Sequence, residues 1–525
     1  MNLYRAFATV GGLTMVSRVF GFIRDVMIAA VLGTGAVADA FFVAFRFPNL
    51  FRRLFGEGAF NAAFVPLFSK RIEGEGQTAA RKFAQEALAG LLFALLLLTA
   101  IAEIAMPWLM YVLAPGFSSD PDKFDLAVLL TQIAFPYLLC MSLVALLSGI
   151  LNALGRFTMA AAAPILLNLV LIGALLLAAA LGFSNSPGSG MVLAWGVTVA
   201  GLVQLVALWI AVRRAGLHLR LVRPAWTPDM KRLVGLGVPG VISGGVTQLN
   251  IVVGTIVASL QAGAVSYLYY ADRLYQLPLG IVGIAIGVVL LPDLARSLRA
   301  GDHHSVLDNQ NRAIEFALLL TLPAAAALAV AAEPIIRVLF ERGAFAASDT
   351  RSTAAALTAF AIGLPSFVLI KVLQPAYFAR EDTRTPMRFA IWNVLLNIAG
   401  SVGLFFLFDA LGLMPHVGIA LATSLSGWVN AYLLWSELAS RGHFEMDTRL
   451  KSNTLAMLAA SAAMGALLWA LLFAFDASLH PAAGVLRQFA VLALVFAFAL
   501  VVYACVVQMT GVLKWTDFLR RLARR

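Results

Sequence analysis

Six arginines and one lysine stand inside long apolar runs of this chain: Arg18, Arg24, Arg46, Arg52, Arg53, Arg273 and Lys371. On insertion scales a guanidinium in hydrocarbon costs at least about 2.5–3.5 kcal/mol, so such groups face a protein interior or a wet cavity. The carboxylates around the arginines are fewer: Asp25, Asp39, Glu57 and Asp272. A surplus of planar cationic forks suits an anion whose charge is concentrated on oxygens, such as a phosphate or pyrophosphate, gripped two oxygens at a time. An organic cation would be repelled.

Each charge also has a plainer reading. Arg18 and Asp25 are seven residues apart on one helix face, and Arg53 and Glu57 form an i, i+4 pair. For Asp25, Glu57 and Arg53, structural pairing or snorkelling towards an interface is therefore the first reading, with charge balance or gating as the functional one. Arg18, Arg24 and Arg52 have no carboxylate three or four residues away, which favours substrate contact over pairing between helices. Arg273 follows Asp272 directly, a spacing that does not bring two side chains together on a helix, and it joins the substrate-binding set. Asp39 divides evenly between a proton or charge-balance carboxylate and a partner for one arginine. Lys371 reads as a lysine beside a wet groove, and the glycines of 235–245 as close helix packing.

The elements that must carry these residues are membrane helices. Apolar residues make up 61% of the 525 and charged ones only 12%, with a mean hydropathy of +0.89. That composition excludes a soluble monomer and fits an all-α polytopic membrane protein. Stretches of about 20 apolar residues or more fall near 8–32, 36–69, 83–113, 126–153, 161–182, 190–212, 232–261, 264–298, 311–340, 352–379, 387–408, 416–438, 453–475 and 485–511, which predicts fourteen transmembrane helices. Outside the charged stretches above, these runs are expected to be kept free of charge. Asp39, Arg46 and Arg53 recur every seven residues and so share a face of the second helix, which Pro48 should bend. Arg18 and Arg24 interrupt the first run as no cleaved signal would, so it is expected to stay as a helix. With the N-terminus inside, the loops left outside hold only Lys123, Arg337, Arg342, Arg351 and Arg487, the pattern of a multi-pass protein with both termini cytoplasmic.

The chain also resembles itself at an offset of about 227 residues. Gly35, Ala36 and Val37 meet Gly263, Ala264 and Val265, Arg46 meets Arg273, and Pro66 meets Pro292. Pro107 and Gly116 meet Pro334 and Gly343, Asn168 meets Asn393, and Gly201, Gln204 and Trp209 meet Gly427, Asn430 and Trp435. The offset spans six helices, so the two copies run parallel. Two six-helix lobes follow, 1–223 and 224–445, with two further C-terminal helices and a basic tail in 446–525. A cavity between the lobes is the expected substrate site.

Catalysis finds no support: there is no HExxH motif and no acidic metal cluster, and His303 and His304 lie in a polar loop. Cys140 and Cys505 sit in apolar runs, which offers neither a disulfide framework nor a metal-ligand spacing. The +11 net charge reads as membrane topology rather than as nucleic-acid binding, since no soluble basic domain is present to bind it.

Three motifs carry a more specific likeness: SRVFGFIRD at 17–25, ADAFFVAFRFPNLFRRLFGEGAF at 38–60 and YYADRLYQLPLG at 269–280. With them the whole chain resembles the MurJ (MviN) family of lipid II flippases. The resemblance implies the multidrug/oligosaccharidyl-lipid/polysaccharide exporter fold and a groove on the last two helices for an undecaprenyl tail. It also implies an inner-membrane location and alternating access for the pyrophosphate-linked precursor of peptidoglycan biosynthesis, a role in cell wall biogenesis and cell shape. It places functional cavity residues on Arg18, Arg24, Asp39, Arg52 and Arg273. It implies lipid II and membrane lipids as partners and leaves room for peptidoglycan-synthesis partners. No cofactor is expected; membrane potential or a monovalent cation could drive the cycle. Some family members hold sodium with carboxylates on the seventh and eleventh helices, but here only Asn393 and Asn397, with Thr423 on the twelfth, stand as weak cation-site candidates. Two rivals stay open: a flippase for another polyprenyl-linked glycan, and a cation/drug antiporter of the same fold.

Overall fold

A computed structural model describes residues 3–52 and 60–512, except the side chains of 3–8, 51–52, 60–62, 238–247 and 281–289. Among the described residues every regular element is helical. In chain order these are α1 (Leu3–Leu32), α2 (Ala36–Arg52), α3 (Phe60–Gly74), α4 (Gly76–Leu113), α5 (Pro121–Ala134), α6 (Tyr137–Ala153), α7 (Phe157–Ala180), α8 (Pro187–Arg214) and α9 (Pro228–Ala258). There follow α10 (Ala264–Arg299), α11 (His303–Val330), α12 (Ala332–Phe340), α13 (Ala347–Phe378), α14 (Arg384–Ala410), α15 (Pro415–Ser440), α16 (Thr448–Ala474), α17 (Asp476–Leu479) and α18 (Val485–Met509). Starts are set by local chemistry. Thr227 and Asp447 accept backbone N–H bonds at the heads of α9 and α16, and proline stands in the first turn of α5, α8, α9 and α15.

Ten candidate spans among the described residues are long and apolar enough to cross a membrane, with α5 and α6 taken together as one. Of the other expected spans, 8–32 forms α1 and carries Arg18, Arg24 and Asp25, while 36–69, 232–261 and 264–298 each include residues or side chains outside the described set. Pro136 adjoins the break in the expected span 126–153, where it removes a backbone donor, and the span 311–340 divides into α11 and α12 at Ala331. Pro48 lies within α2, and residues 53–59 of the expected second span lie outside the described residues.

The chain forms two compact units. One runs to Ser266 and includes Arg342–Phe345; the other comprises Tyr267–Glu341 and the residues from Ala346 onward. In the first, Phe41, Phe42, Phe64, Phe68 and Phe83 are all but fully buried, with the Phe64 and Phe83 rings stacked 5.4 Å apart. In the second, Glu315 of α11 is 7% exposed and accepts bonds from Arg312, Arg449 (3.1 Å) and Asn453 (2.7 Å), which fastens α16 to α11.

The repeat read from the sequence has counterparts inside each unit. Thr198 donates to the Ile133 carbonyl and Ser424 to that of Ala359, both across a separation of 65 residues. Gln132 donates to the Glu103 carbonyl and Thr358 to that of Ala329, both across 29. A Cβ on Gly201 would lie 2.9 Å from Cβ of Cys140, and one on Gly427 would lie 2.7 Å from Oγ of Ser366, so α8 on α6 and α15 on α13 approach through the same small-residue contact.

Two repeat-matched glycines close the first unit. A Cβ on Gly116 would lie 2.2 Å from the Ser259 carbonyl oxygen, and one on Gly343 would lie 2.2 Å from that of Ala30. Gly343 also has φ +59, and the Ala344 N–H donates to Ala30 at 2.8 Å.

Two outcomes follow. Gly116→Ala and Gly343→Ala should each lower thermal stability in detergent, by about 1–3 kcal/mol or more, because backbone must shift. Gly173→Ala in α7, whose new Cβ would meet nothing within 4 Å, should not; equal melting temperatures for all three would contradict this packing. Ahead of α14, the Thr385 backbone N–H, the Thr385 hydroxyl and Arg441 bring Asp382 down from an ordinary 3.8 to about 2. A lowered folded value means that Asp382 stabilises fully above the unfolded value and loses that contribution as pH falls towards the folded one. The stability gap between the protein and Asp382→Asn should therefore be constant from pH 7 to about 5 and shrink from about 4 to about 2.

Candidate functional site

Asp39 in the first turn of α2 is fully buried. Its carboxylate accepts from the Lys123 ammonium at 2.7 Å, the Gly263 N–H at 2.8 Å, the Ser266 N–H at 3.0 Å and the Ser266 hydroxyl at 2.7 Å. The two backbone donors belong to the head of α10, whose first N–H groups have no partner within the helix. A carboxylate there satisfies them and opposes the positive end of the helix dipole. Lys123 is 8% exposed and sits 4.1 Å over the Phe117 ring. Every donor is therefore matched to one buried charge.

Arg24 on α1 is 4% exposed. Its Nε and Nη2 reach Oδ1 of Asp25 at 3.0 and 2.7 Å, its Nη1 donates to Oδ1 of Asn168 on α7 at 2.8 Å, and Phe45 offers a ring face at 5.7 Å. Asn168 returns its amide to the Ser17 carbonyl at 2.9 Å and so ties α7 to α1 at two heights. Helical spacing puts Asp25 on one face with Arg18, and its carboxylate is held by Arg24: burial removes water as an alternative partner, and the long arginine stem folds back to the adjacent carboxylate.

The other expected residues are spread among these helices. Arg18 is exposed on α1. Half-buried Arg46 donates to the Thr255 hydroxyl on α9 at 3.2 Å. Arg52 ends α2, with its side chain outside the described residues, and Arg53 and Glu57 lie outside them altogether. In the second unit, Arg273 donates to the Tyr269 hydroxyl at 3.0 Å and lies over that ring, while Gln276 donates to Asp272. Lys371 is exposed on α13. Asn397 donates to Thr423 at 3.2 Å and accepts from Ser401 at 2.9 Å, and Oδ1 of Asn393 is buried with no hydrogen-bond partner among the described residues.

Lys123, Asn168 and Glu103 are not among the expected site residues. Lys123 comes from a loop-proximal turn far along the chain, and nothing local marks it. Asn168 was visible only as a repeat match. Glu103 corrects the expectation that the remaining runs are free of charge: it lies in α4, with Oε1 buried and without a hydrogen-bond partner among the described residues. An acidic residue inside so apolar a run is itself the signal.

A family profile described as MurJ, lipid II flippase, matches residues 28–506. A relative named "Probable lipid II flippase MurJ" from Rhizobium tropici is 49% identical over 512 residues, covering 97% of this chain and 95% of that protein. The solved structure described as "Lipid II flippase MurJ, inward closed conformation" is similar at a TM-score of 0.77 and 25% identity, covering 98% of this chain and 99% of that one. An inward-facing multidrug resistance MATE family transporter of the MOP superfamily shares the fold at a TM-score of 0.65 and 15% identity, over 83% of this chain and 98% of that one.

Asp39→Asn and Lys123→Met should each cost about 3–5 kcal/mol, since either leaves the other charge buried without its partner. The double variant should cost less than the sum of the two. Additive losses in a double-mutant cycle of unfolding in detergent would show that the pair is not coupled.

Proposed function

The chain belongs to the MurJ family of lipid II flippases, and from that premise we propose that it carries lipid II from the cytoplasmic to the periplasmic leaflet of the bacterial inner membrane by alternating access. Transport of this kind needs no covalent chemistry. The pyrophosphate and its glycan-peptide head enter a cationic cavity and leave on the other side, while the undecaprenyl tail stays in lipid along α16 and α18. Both termini are cytoplasmic in this reading, and peptidoglycan-synthesis partners would meet the cytoplasmic loops. The working parts follow the repeat, with lobes at 1–223 and 224–445 and the lipid-tail helices in 446–525.

Arg24 carries the reading. A guanidinium already desolvated in a membrane helix is costly unless an anion is to meet it, and three of its five N–H donors are committed to Asp25 and Asn168. The remaining donors, and those released when Asp25 is exchanged for substrate, fit pyrophosphate oxygens. Arg18 and Arg52 supply further cationic contacts, and Arg273 is a substrate ligand in the second unit. Asp25, Asp39, Arg53 and Glu57 balance or gate that charge.

Substrate held by so many cations must also be released. Membrane potential supplies about 2.3 kcal/mol per elementary charge per 100 mV, enough to bias a two-state equilibrium about 50-fold. A monovalent cation is the other source, with Asn393, Asn397 and Thr423 as its neutral oxygen donors.

The test is depletion of the protein in its host, complemented by the unaltered chain or by Arg24→Ala, with periplasmic exposure of lipid II followed in intact cells. Exposure should stop on depletion, and Arg24→Ala at normal membrane levels should not restore it. Unaltered exposure with another polyprenyl-linked glycan stranded inside, or with efflux of cationic dyes lost, would replace lipid II as the cargo.

A further inference from the structure

A cavity of about 580 Å³ opens at the surface of the first unit where α6 ends, α7 begins and α8 ends. Its size falls within the range of ligand pockets. None of the residues assigned to substrate lines it. Its apolar side is formed by Leu151, Met159 and Ile210, and its polar side by Arg156, Thr158 and Arg214.

The polar side is arranged for negative charge. Arg156 and Arg214 are both exposed, and Nη1 of Arg156 donates to the Arg214 carbonyl at 3.3 Å. That bond draws one guanidinium across the carbonyl end of α8 and offsets its negative dipole. Arg156 is also the residue that precedes α7, and no side chain caps the first-turn N–H groups of that helix. Two cations and the positive end of a helix therefore face one opening.

Below the rim the surface turns apolar in a line. Leu202, Val206 and Ile210 recur every fourth residue of α8, and each is exposed by two fifths or more, forming a stripe that runs from the hydrocarbon-spanning part of the helix to the cavity. One phosphate at the rim with a hydrocarbon chain along the stripe matches both halves of the site.

We propose that Arg156, Arg214 and Thr158 seat the phosphate of an anionic membrane glycerophospholipid, with one acyl chain lying along Leu202, Val206 and Ile210. Basic pockets between helix ends bind such headgroups, at about 1 kcal/mol for each nearby arginine. The site is separate from the substrate arginines and does not depend on the cargo.

The experiment uses the full chain in a neutral detergent, with retained lipid read by native mass spectrometry. Phosphatidylglycerol should be retained at least about tenfold more than phosphatidylcholine, and Arg156→Gln/Arg214→Gln should abolish that preference. Arg156→Lys/Arg214→Lys should keep most of it, and Ala211→Trp, which fills the cavity, should lower retention while leaving both arginines in place. Equal retention of phosphatidylglycerol by the protein and the glutamine double variant, at matched melting temperatures, overturns the proposal. So does displacement by inorganic phosphate at equal concentration, which would mark a free-phosphate site, or stronger retention of undecaprenyl phosphate through the same arginines, which would assign the cavity to the cargo's lipid.

Discussion

The first unit depends on one buried charge being fully answered. A carboxylate at 0% exposure is affordable only where donors replace its water, and Asp39 finds one ammonium, one hydroxyl and two backbone N–H groups within 3.0 Å. The four come from two separate parts of the chain, and the acceptor from a third. Each segment is placed by the demand of the same two oxygens, so the first turn of α2, the first turn of α5 and the head of α10 are positioned together. Apolar packing alone would let these helix ends slide, because lipid and side chain are alike to a leucine.

Arg24 follows the same rule with a different outcome. Its partners also replace water, but two of them are an adjacent carboxylate and a neutral amide, and donors remain uncommitted. Asp39 is closed by its surroundings, whereas Arg24 keeps capacity for another anion. That contrast separates a group that fixes architecture from one that is suited to exchange partners, although both are charges of similar burial.

Much of this was legible because hydropathy and small-residue spacing act locally. The apolar spans, the matched Gly201 and Gly427 and the order of the repeat all rest on patterns within one helix or between copies of one. Pro136 lies at a break that hydropathy does not show, since 126–153 reads as one continuous span. Partnerships between distant charges were not legible in the same way: Lys123 reaches Asp39 across 84 residues, and no spacing rule selects it from the other lysines. Arg24 with Asp25 was hidden for the opposite reason, since neighbours in sequence diverge on an ideal helix and meet only when burial makes the long side chain fold back. Glu103 had a local signal of its own, an acidic residue deep in the apolar run 83–113, but that run was expected to be free of charge. Arg53 and Glu57 fall where the structure describes nothing.

Gly35, Ala36 and Val37 at the head of α2 match Gly263, Ala264 and Val265 at the head of α10, which sets Asp39 opposite Tyr267 and Ala38 opposite Ser266. The carboxylate of one copy therefore answers the helix head of the other, and the place that matches its own carries a tyrosine and returns no acid. Two identical chains would carry that acid twice and have to bury it twice. Covalent linkage of the copies removes the restriction, because each position is then free to mutate alone. Acceptor and donors stand on opposite sides of one contact, with a single buried charge to satisfy.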